Sequence, residues 1–188
     1  SPTIASFVHY WFTFTDFNIS ILNVFAKLLY YRSIFANTTN IRMLVAISHI
    51  SKYIGDAIMA FWGAPTDDAQ HAIHAVQAAL DMVDELMAFR TEMGEAGANF
   101  DVGIGLHSGP AVVGLIGSSQ RLDYTAIGDT VNLASRIEGQ TKGIARILVS
   151  ESTRELCGDT FDFIDHGTHH VKGREQGVRL YEPQRRTS

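Results

Sequence analysis

Residues 52–65 read KYIGDAIMAFWGAP. Two short apolar runs flank Gly55-Asp56, and Ala64-Pro65 closes the second run. That spacing predicts a β-hairpin around the Gly-Asp turn. Downstream, Thr66 or Asp67 is placed to cap a helix with apolar positions at Ile73, Val76, Leu80, Val83 and Met87. Steps of three and four residues mark an amphipathic helix packed on a sheet. Its histidines, His71 and His74, read as surface residues.

Further along, Phe100–His107 and Ala111–Ile116 read as strands separated by Ser108-Gly109-Pro110. Thr130–Gln140 reads as a helix with Gly139 near its end, Ile147–Val149 as a strand, and Ser150–Leu156 as a short helix capped by Ser150. Phe161–Ile164, His169–Val171 and Arg179–Tyr181 read as closing strands. Upstream, residues 5–15 form an aromatic, β-prone run, and residues 19–35 carry a helical spacing. Interleaved helices and tightly turned strands predict an α+β fold with a mixed or antiparallel sheet, rather than a doubly wound parallel one.

The chain has 188 residues and 46% hydrophobic content, enough for one domain with a sizeable core. Its net charge of −5 argues against a general nucleic-acid binder, which carries a basic face. A nucleotide substrate stays open, because a metal ion can supply positive charge. The single cysteine, Cys157, excludes an internal disulfide and reads as a buried, inert thiol. Before Asp56 the only acidic residue is Asp16. The weakly charged run 4–26 raises the question of a membrane span. His9, Thr13, Thr15, Asp16, Asn18, Ser20 and Asn23 interrupt it, which favours a buried strand–helix pair.

Two segments could carry chemistry. Lys52 and Asp56 flank the hairpin turn; a carboxylate beside glycine can approach a divalent cation, and magnesium prefers oxygen ligands. The plain alternative is a turn aspartate and a surface lysine. In YTAIGDTVNLASRIE, residues 124–138, Asn132 and Arg136 are four apart on one helix face. An amide beside a planar guanidinium fork near a helix start can cradle an anion. The plain alternative there is an exposed polar face. Other templates fail: there is no GxxxxGK[ST], CxxC, HExxH or GxSxG, and Gly103, Gly105 and Gly109 do not fit GxGxxG. His169-His170 reads as strand surface.

Taken whole, the segments 52–65 and 124–138, with VGIGLHSGPAVVGLIGS at 102–118 and VKGREQGVRLYEP at 171–183, strongly resemble the class III nucleotidyl cyclases. The resemblance covers roughly residues 50–183 of a single catalytic domain, 1–188. It implies a ferredoxin-like βαββαβ core with extra strands and a head-to-tail homodimer with active sites at the interface. It also implies two divalent cations, Mg2+ or Mn2+, and ATP as substrate. Position by position, Asp56 matches a metal ligand and Lys52 and Thr125 match the purine readers. Asn132 matches the ribose-orienting amide and Arg136 the transition-state arginine. Arg174 and Lys172 match the basic position that contacts the terminal phosphates. No nucleic-acid partner is implied. A cytoplasmic location fits, and such domains are often fused to upstream sensor or membrane segments.

The opening segment departs from the family pattern FxDIxGFT. Its nearest counterpart is FTFTDFNIS at 12–20, where Ile19-Ser20-Ile21 replaces Gly-Phe-Thr. Asp16 is accordingly the candidate for the first metal ligand. Two functions follow: an active adenylyl cyclase, or a cyclase-like nucleotide-binding module without the first metal site. A guanylyl cyclase is the rival within the class, and Lys52 speaks against it.

Overall fold

The computed structural model describes residues 6–11, 50–54, 57–98, 101–118, 121–172, 174 and 176–187. Nine strands and three α-helices follow in chain order among these residues. They are β1 (Ser6–Trp11), β2 (Ile50–Ile54), β3 (Ala57–Trp62), α1 (His71–Met93), β4 (Gly103–His107), β5 (Val112–Ser118) and β6 (Arg121–Ile127). Then come α2 (Asp129–Glu138), β7 (Ile147–Ser150), α3 (Glu151–Cys157), β8 (Phe161–His169) and β9 (Val178–Arg185). The main sheet has the order β2-β3-β1-β4-β7-β9-β8, and β5 and β6 form a separate ribbon. Among the described strands only β4 and β7 pair in parallel, and the other pairings are antiparallel. The order 2-3-1-4 is the ferredoxin-like core, and β7, β9 and β8 extend it into a mixed sheet.

Alternation along the central strands sorts side chains between two faces, because neighbouring residues of a strand point opposite ways. Ala60, Trp62, Ile104, Leu106, Ile147 and Val149 join α1 and Cys157 in one core. Leu148 and Leu180 face the other way and meet Leu133 and Ile137 of α2. Met59 and Phe61 pack with Ala126 of β6 and Val131 of α2. Helices therefore cover both faces of the sheet.

The α1 stripe differs from the expected one. Its fully buried line runs through Ala72, Ala75, Val76, Ala78, Ala79, Met82, Leu86 and Phe89. The larger Ile73, Leu80, Val83 and Met87 flank that line, partly buried. Alanines let the helix axis lie close to the sheet, and the bulkier residues fill the sides. Its start is also later than Thr66 or Asp67, with Gln70 at the N-cap and no side-chain cap. Asp68 organises that entry instead: its carboxylate accepts from the Gln70 N–H at 2.9 Å and pairs with His74 Nδ1 at 2.8 Å.

The hairpin expected at 52–65 is present as β2 and β3, with Ile54 opposite Ala57. Gly55 and Asp56 between them lie outside the described residues, as do Asp16 and the helical spacing at 19–35. Three strand expectations need correction. Residues 121–127 form β6, a strand absent from the sequence expectations. β8 and β9 are longer than expected, and the strand expected at His169–Val171 does not form: β8 ends at His169, and His170 and Val171 lie beyond it. Ser150 caps α3 as predicted, accepting from the Thr153 N–H at 3.4 Å. Among the described residues no helix is long and apolar enough to cross a membrane.

The contact between α2 and β4 is unusually close. A Cβ on Gly105 would overlap the Ala134 carbonyl and the Glu138 N–H and stand 2.7 Å from Glu138 Cα. A Cβ on Gly103 would strike the Thr141 side chain and lie 2.9 Å from a Glu138 carboxylate oxygen. Backbone cannot yield as a flexible side chain can, so Gly105→Ala should cost about 1–3 kcal/mol or more. A Cβ on Gly114 meets nothing within 4 Å. Gly114→Ala should therefore change stability by less than about 1 kcal/mol. Urea denaturation of the two variants beside the parent chain measures the difference.

Candidate active site

Helix α2 begins after Gly128, whose φ of 143° is a conformation that side-chain-bearing residues rarely adopt. The glycine lets β6 turn directly into the helix. Seated on β4, α2 buries Thr130, Val131, Leu133, Ala134, Ile137 and Glu138. Asp129 and Asn132 are left exposed and Arg136 half-buried. These three residues follow the i, i+3, i+7 spacing of a single helical stripe. Among the described residues, no hydrogen bond or ion pair engages the Asn132 amide or the Arg136 guanidinium. The cradle expected from the sequence is thus an outward stripe on a helix whose opposite face is fixed against the sheet.

Arg174 reaches the same stripe from the turn between β8 and β9. One of its terminal nitrogens donates to the Asp129 carboxylate. Lys172 is exposed on that turn. Thr125 is buried on β6 opposite Gly114, three residues before Gly128. Lys52 lies on β2 opposite Met59, and β2 approaches β6. The strands bearing the two candidate purine readers therefore lie against each other. Asp16 and Asp56 lie outside the described residues.

Behind the stripe, at the end of β4, sits a polar network that the sequence did not reveal. His107 Nδ1 shares hydrogen bonds with Ser150 Oγ at 2.8 Å and Ser152 Oγ at 3.3 Å. Ser152 Oγ donates to the Ser108 carbonyl at 2.9 Å, and Thr153 Oγ1 donates to Ser108 Oγ at 3.1 Å. Thr130 Oγ1 donates to the Pro110 carbonyl at 2.5 Å and ties the start of α2 to the same loop. Burial pushes the His107 imidazole down to about 4; the Arg174 charge lowers it further and Asp129 opposes. The imidazole is therefore neutral near pH 7. Burial likewise raises the Cys157 thiol to about 12, in keeping with the inert thiol expected.

Against this geometry the comparisons are decisive. Residues 12–182 match the adenylate and guanylate cyclase catalytic domain family. The chain belongs to that family. The matched span takes in Asp16 as well as both central motifs. An adenylate cyclase of Rhizobium meliloti is 41% identical over 135 residues, 71% of this chain and 20% of the relative. One from Anabaena cylindrica is 45% identical over 140 residues, 71% of this chain and 27% of the relative. The cyclase chain described here thus spans about a fifth to a quarter of those curated relatives. The crystal structure of an adenylyl cyclase from P. aeruginosa superposes with a TM-score of 0.77 at 26% identity, covering 97% of this chain and 95% of that one. The guanylate cyclase domain of RhGC from Catenaria anguillulae, solved with GTP, shares the fold at a TM-score of 0.78 and 24% identity, covering the whole of both chains.

The neutral His107 gives this cyclase domain an acid-sensitive seam. In the unfolded chain the imidazole binds a proton below about 6.5; in the folded chain it resists until about 4. Its contribution is fully present above 6.5 and is lost as pH falls through that window. The loss approaches about 3 kcal/mol near pH 4. Denaturation midpoints measured from pH 7 to 4 should fall more steeply in the parent than in His107→Gln. The His107 ring resonances should stay in the neutral form down to about pH 4.

Proposed function

We propose that this domain is an adenylyl cyclase, converting ATP into 3′,5′-cyclic AMP and pyrophosphate at sites formed between two copies of the chain. The observation that supports it most is the outward stripe of α2. Among the described residues, no hydrogen bond or ion pair engages the Asn132 or Arg136 side chain there, and the cation of Arg174 is held at the stripe's end. In this reading the ribose 3′ oxygen attacks the α-phosphorus and pyrophosphate leaves. Asn132 orients the ribose. Arg136 meets the charge that develops on the α-phosphoryl group, the kind of preorganised electrostatic contact that dominates such catalysis. Arg174 and Lys172 receive the terminal phosphates.

The purine choice follows from hydrogen-bond polarity. Lys52 can only donate, which suits the adenine N1 acceptor, and Thr125 can accept from the N6 amine. Guanine presents N1–H and O6, so its donor would face the lysine donor, a buried mismatch costing about 1–3 kcal/mol. A membrane guanylyl cyclase of Dictyostelium discoideum is 32% identical over 65% of the chain. Guanylyl cyclases therefore remain the comparison against which Lys52 must be tested.

Asp16 and Asp56 would hold magnesium or manganese. The fit rests on donor chemistry: carboxylate oxygens suit these hard ions. When bound, such ions supply activation of the attacking oxygen and neutralisation of phosphate charge. For the assembly, Val112, Leu115, Leu122 and Ile127 project 50–66% exposed from the β5–β6 ribbon. An apolar ribbon standing off the sheet supports an interface between copies. A cytoplasmic location, with sensor or membrane segments elsewhere in a longer protein, completes the reading.

Purified protein given ATP or GTP with Mn2+ should yield cyclic AMP as the main product. Cyclic GMP as the main product would overturn the purine argument, and no product from either nucleotide would favour a nucleotide-binding module. Arg136→Ala should lower kcat by roughly a hundred- to a thousandfold with the fold intact by circular dichroism. Asp16→Ala should abolish metal-dependent turnover; near-normal activity would remove Asp16 from the site.

A further inference from the structure

Several arginine ion pairs among the described residues join different parts of the fold. Arg185 bridges from β9 to Asp81 and Asp84 of α1, Arg146 pairs with Asp101, and Arg179 pairs with Asp165 across β8 and β9. These pairs join elements of the scaffold. Arg174–Asp129 instead joins a turn to the functional stripe of α2. Its partners are 36% and 64% exposed, so the pair adds little to folding stability. What it does is geometric.

Arginine presents five donors in a flat fork. Asp129 engages a single terminal nitrogen of Arg174. The rest of the guanidinium remains available to a phosphate oxygen. Asp129 itself is the first residue of a helix pinned by the Gly105 contact and the Thr130–Pro110 hydrogen bond. The anchor is therefore rigid while the arginine comes from a turn. Both charges also act on half-buried His107 at the end of β4, in opposite senses.

We infer that Asp129 is a positioning residue for the nucleotide: it holds one edge of Arg174 and aims the remaining donors at ligand phosphates beside Asn132 and Arg136. This rests on the proposed role of Arg174 at the terminal phosphates. Asp129 touches no substrate; it acts through the arginine. A carboxylate near phosphates also repels them, so two opposite consequences of removing it are conceivable, and they differ in sign. If it positions, its loss weakens binding. If it merely competes for the arginine, its loss strengthens binding.

The test is steady-state kinetics with ATP, and calorimetric binding of inorganic pyrophosphate, for the parent, Arg174→Ala, Asp129→Asn, Asp129→Glu and the Arg174→Ala/Asp129→Asn double variant. Arg174→Ala should raise KM and the pyrophosphate Kd about tenfold or more. Asp129→Asn should raise both by a smaller factor of roughly three to ten, with kcat within about twofold. Asp129→Glu should recover most of the loss. The double variant should match Arg174→Ala alone, because the aspartate has no route to the phosphates without the arginine. If Arg174→Ala weakens binding but Asp129→Asn leaves it unchanged or tightens it, the positioning role is overturned and the proposed function stands. If Arg174→Ala itself leaves KM and pyrophosphate binding unchanged, the phosphate role of Arg174 fails and the inference falls with it.

Discussion

Everything at the candidate site depends on how closely α2 can approach β4. Gly105 has the Ala134 carbonyl and the Glu138 N–H where its Cβ would be, and Gly103 lies under Thr141 and Glu138. Two missing side chains let a helix rest on strand backbone. The same strand turns Ile104 and Leu106 the other way, both fully buried among α1 residues. Glycine on one face and large aliphatics on the other make β4 a plane with a flush side and a deep side. With its inner face fixed by that plane, α2 holds the direction in which Asn132 and Arg136 point.

The N-terminal end of α2 is fixed by a second set of contacts. Gly128 supplies a backbone angle that permits the abrupt passage from β6 into the helix. Thr130 bonds to the loop after β4, and that loop shares Ser108 with the His107–Ser150–Ser152–Thr153 network. Buried hydroxyls and a neutral imidazole suit this position: each donor finds an acceptor without a charge to desolvate. The network joins β4, β7 and α3 just below the stripe. A site expected to handle phosphate charge is thus supported from beneath by neutral groups.

Much of this arrangement was legible in the chain because it is local. The β2–β3 pair follows from two apolar runs around Gly-Asp, and the α3 cap from Ser150 ahead of a short helix. The α+β class follows from tight turns between strands. What escaped had tertiary causes. β6 was hidden because Tyr124–Ile127 runs straight into a glycine and a helix, although Leu122, Tyr124 and Ala126 alternate as a strand should. The α1 stripe was read from its largest residues, whereas close packing selected alanines. Gly103 and Gly105 failed as a nucleotide loop, and their purpose shows only when α2 is laid over them. Asp129 was passed over between two residues of interest, although its spacing to Asn132 and Arg136 placed it on their face.

Under the proposed function, the placement of each group follows from the role it would have. A group that stabilises a transition state must be held to a fraction of an ångström, since small misplacements cost orders of magnitude in rate. In the proposed reading Asn132 and Arg136 meet that demand on a helix whose inner face is buried. A group that receives the outer phosphates must let ligand enter and product leave, which favours a turn. Arg174 sits on such a turn, yet a long flexible side chain loses entropy whenever a ligand fixes it. In the inferred arrangement, pairing with Asp129 would order the guanidinium before the ligand arrives, so that cost would fall on the free protein rather than on binding. The rigid helix thereby serves twice, carrying its own two groups and lending an anchor to a third that the fold could place only on a loop.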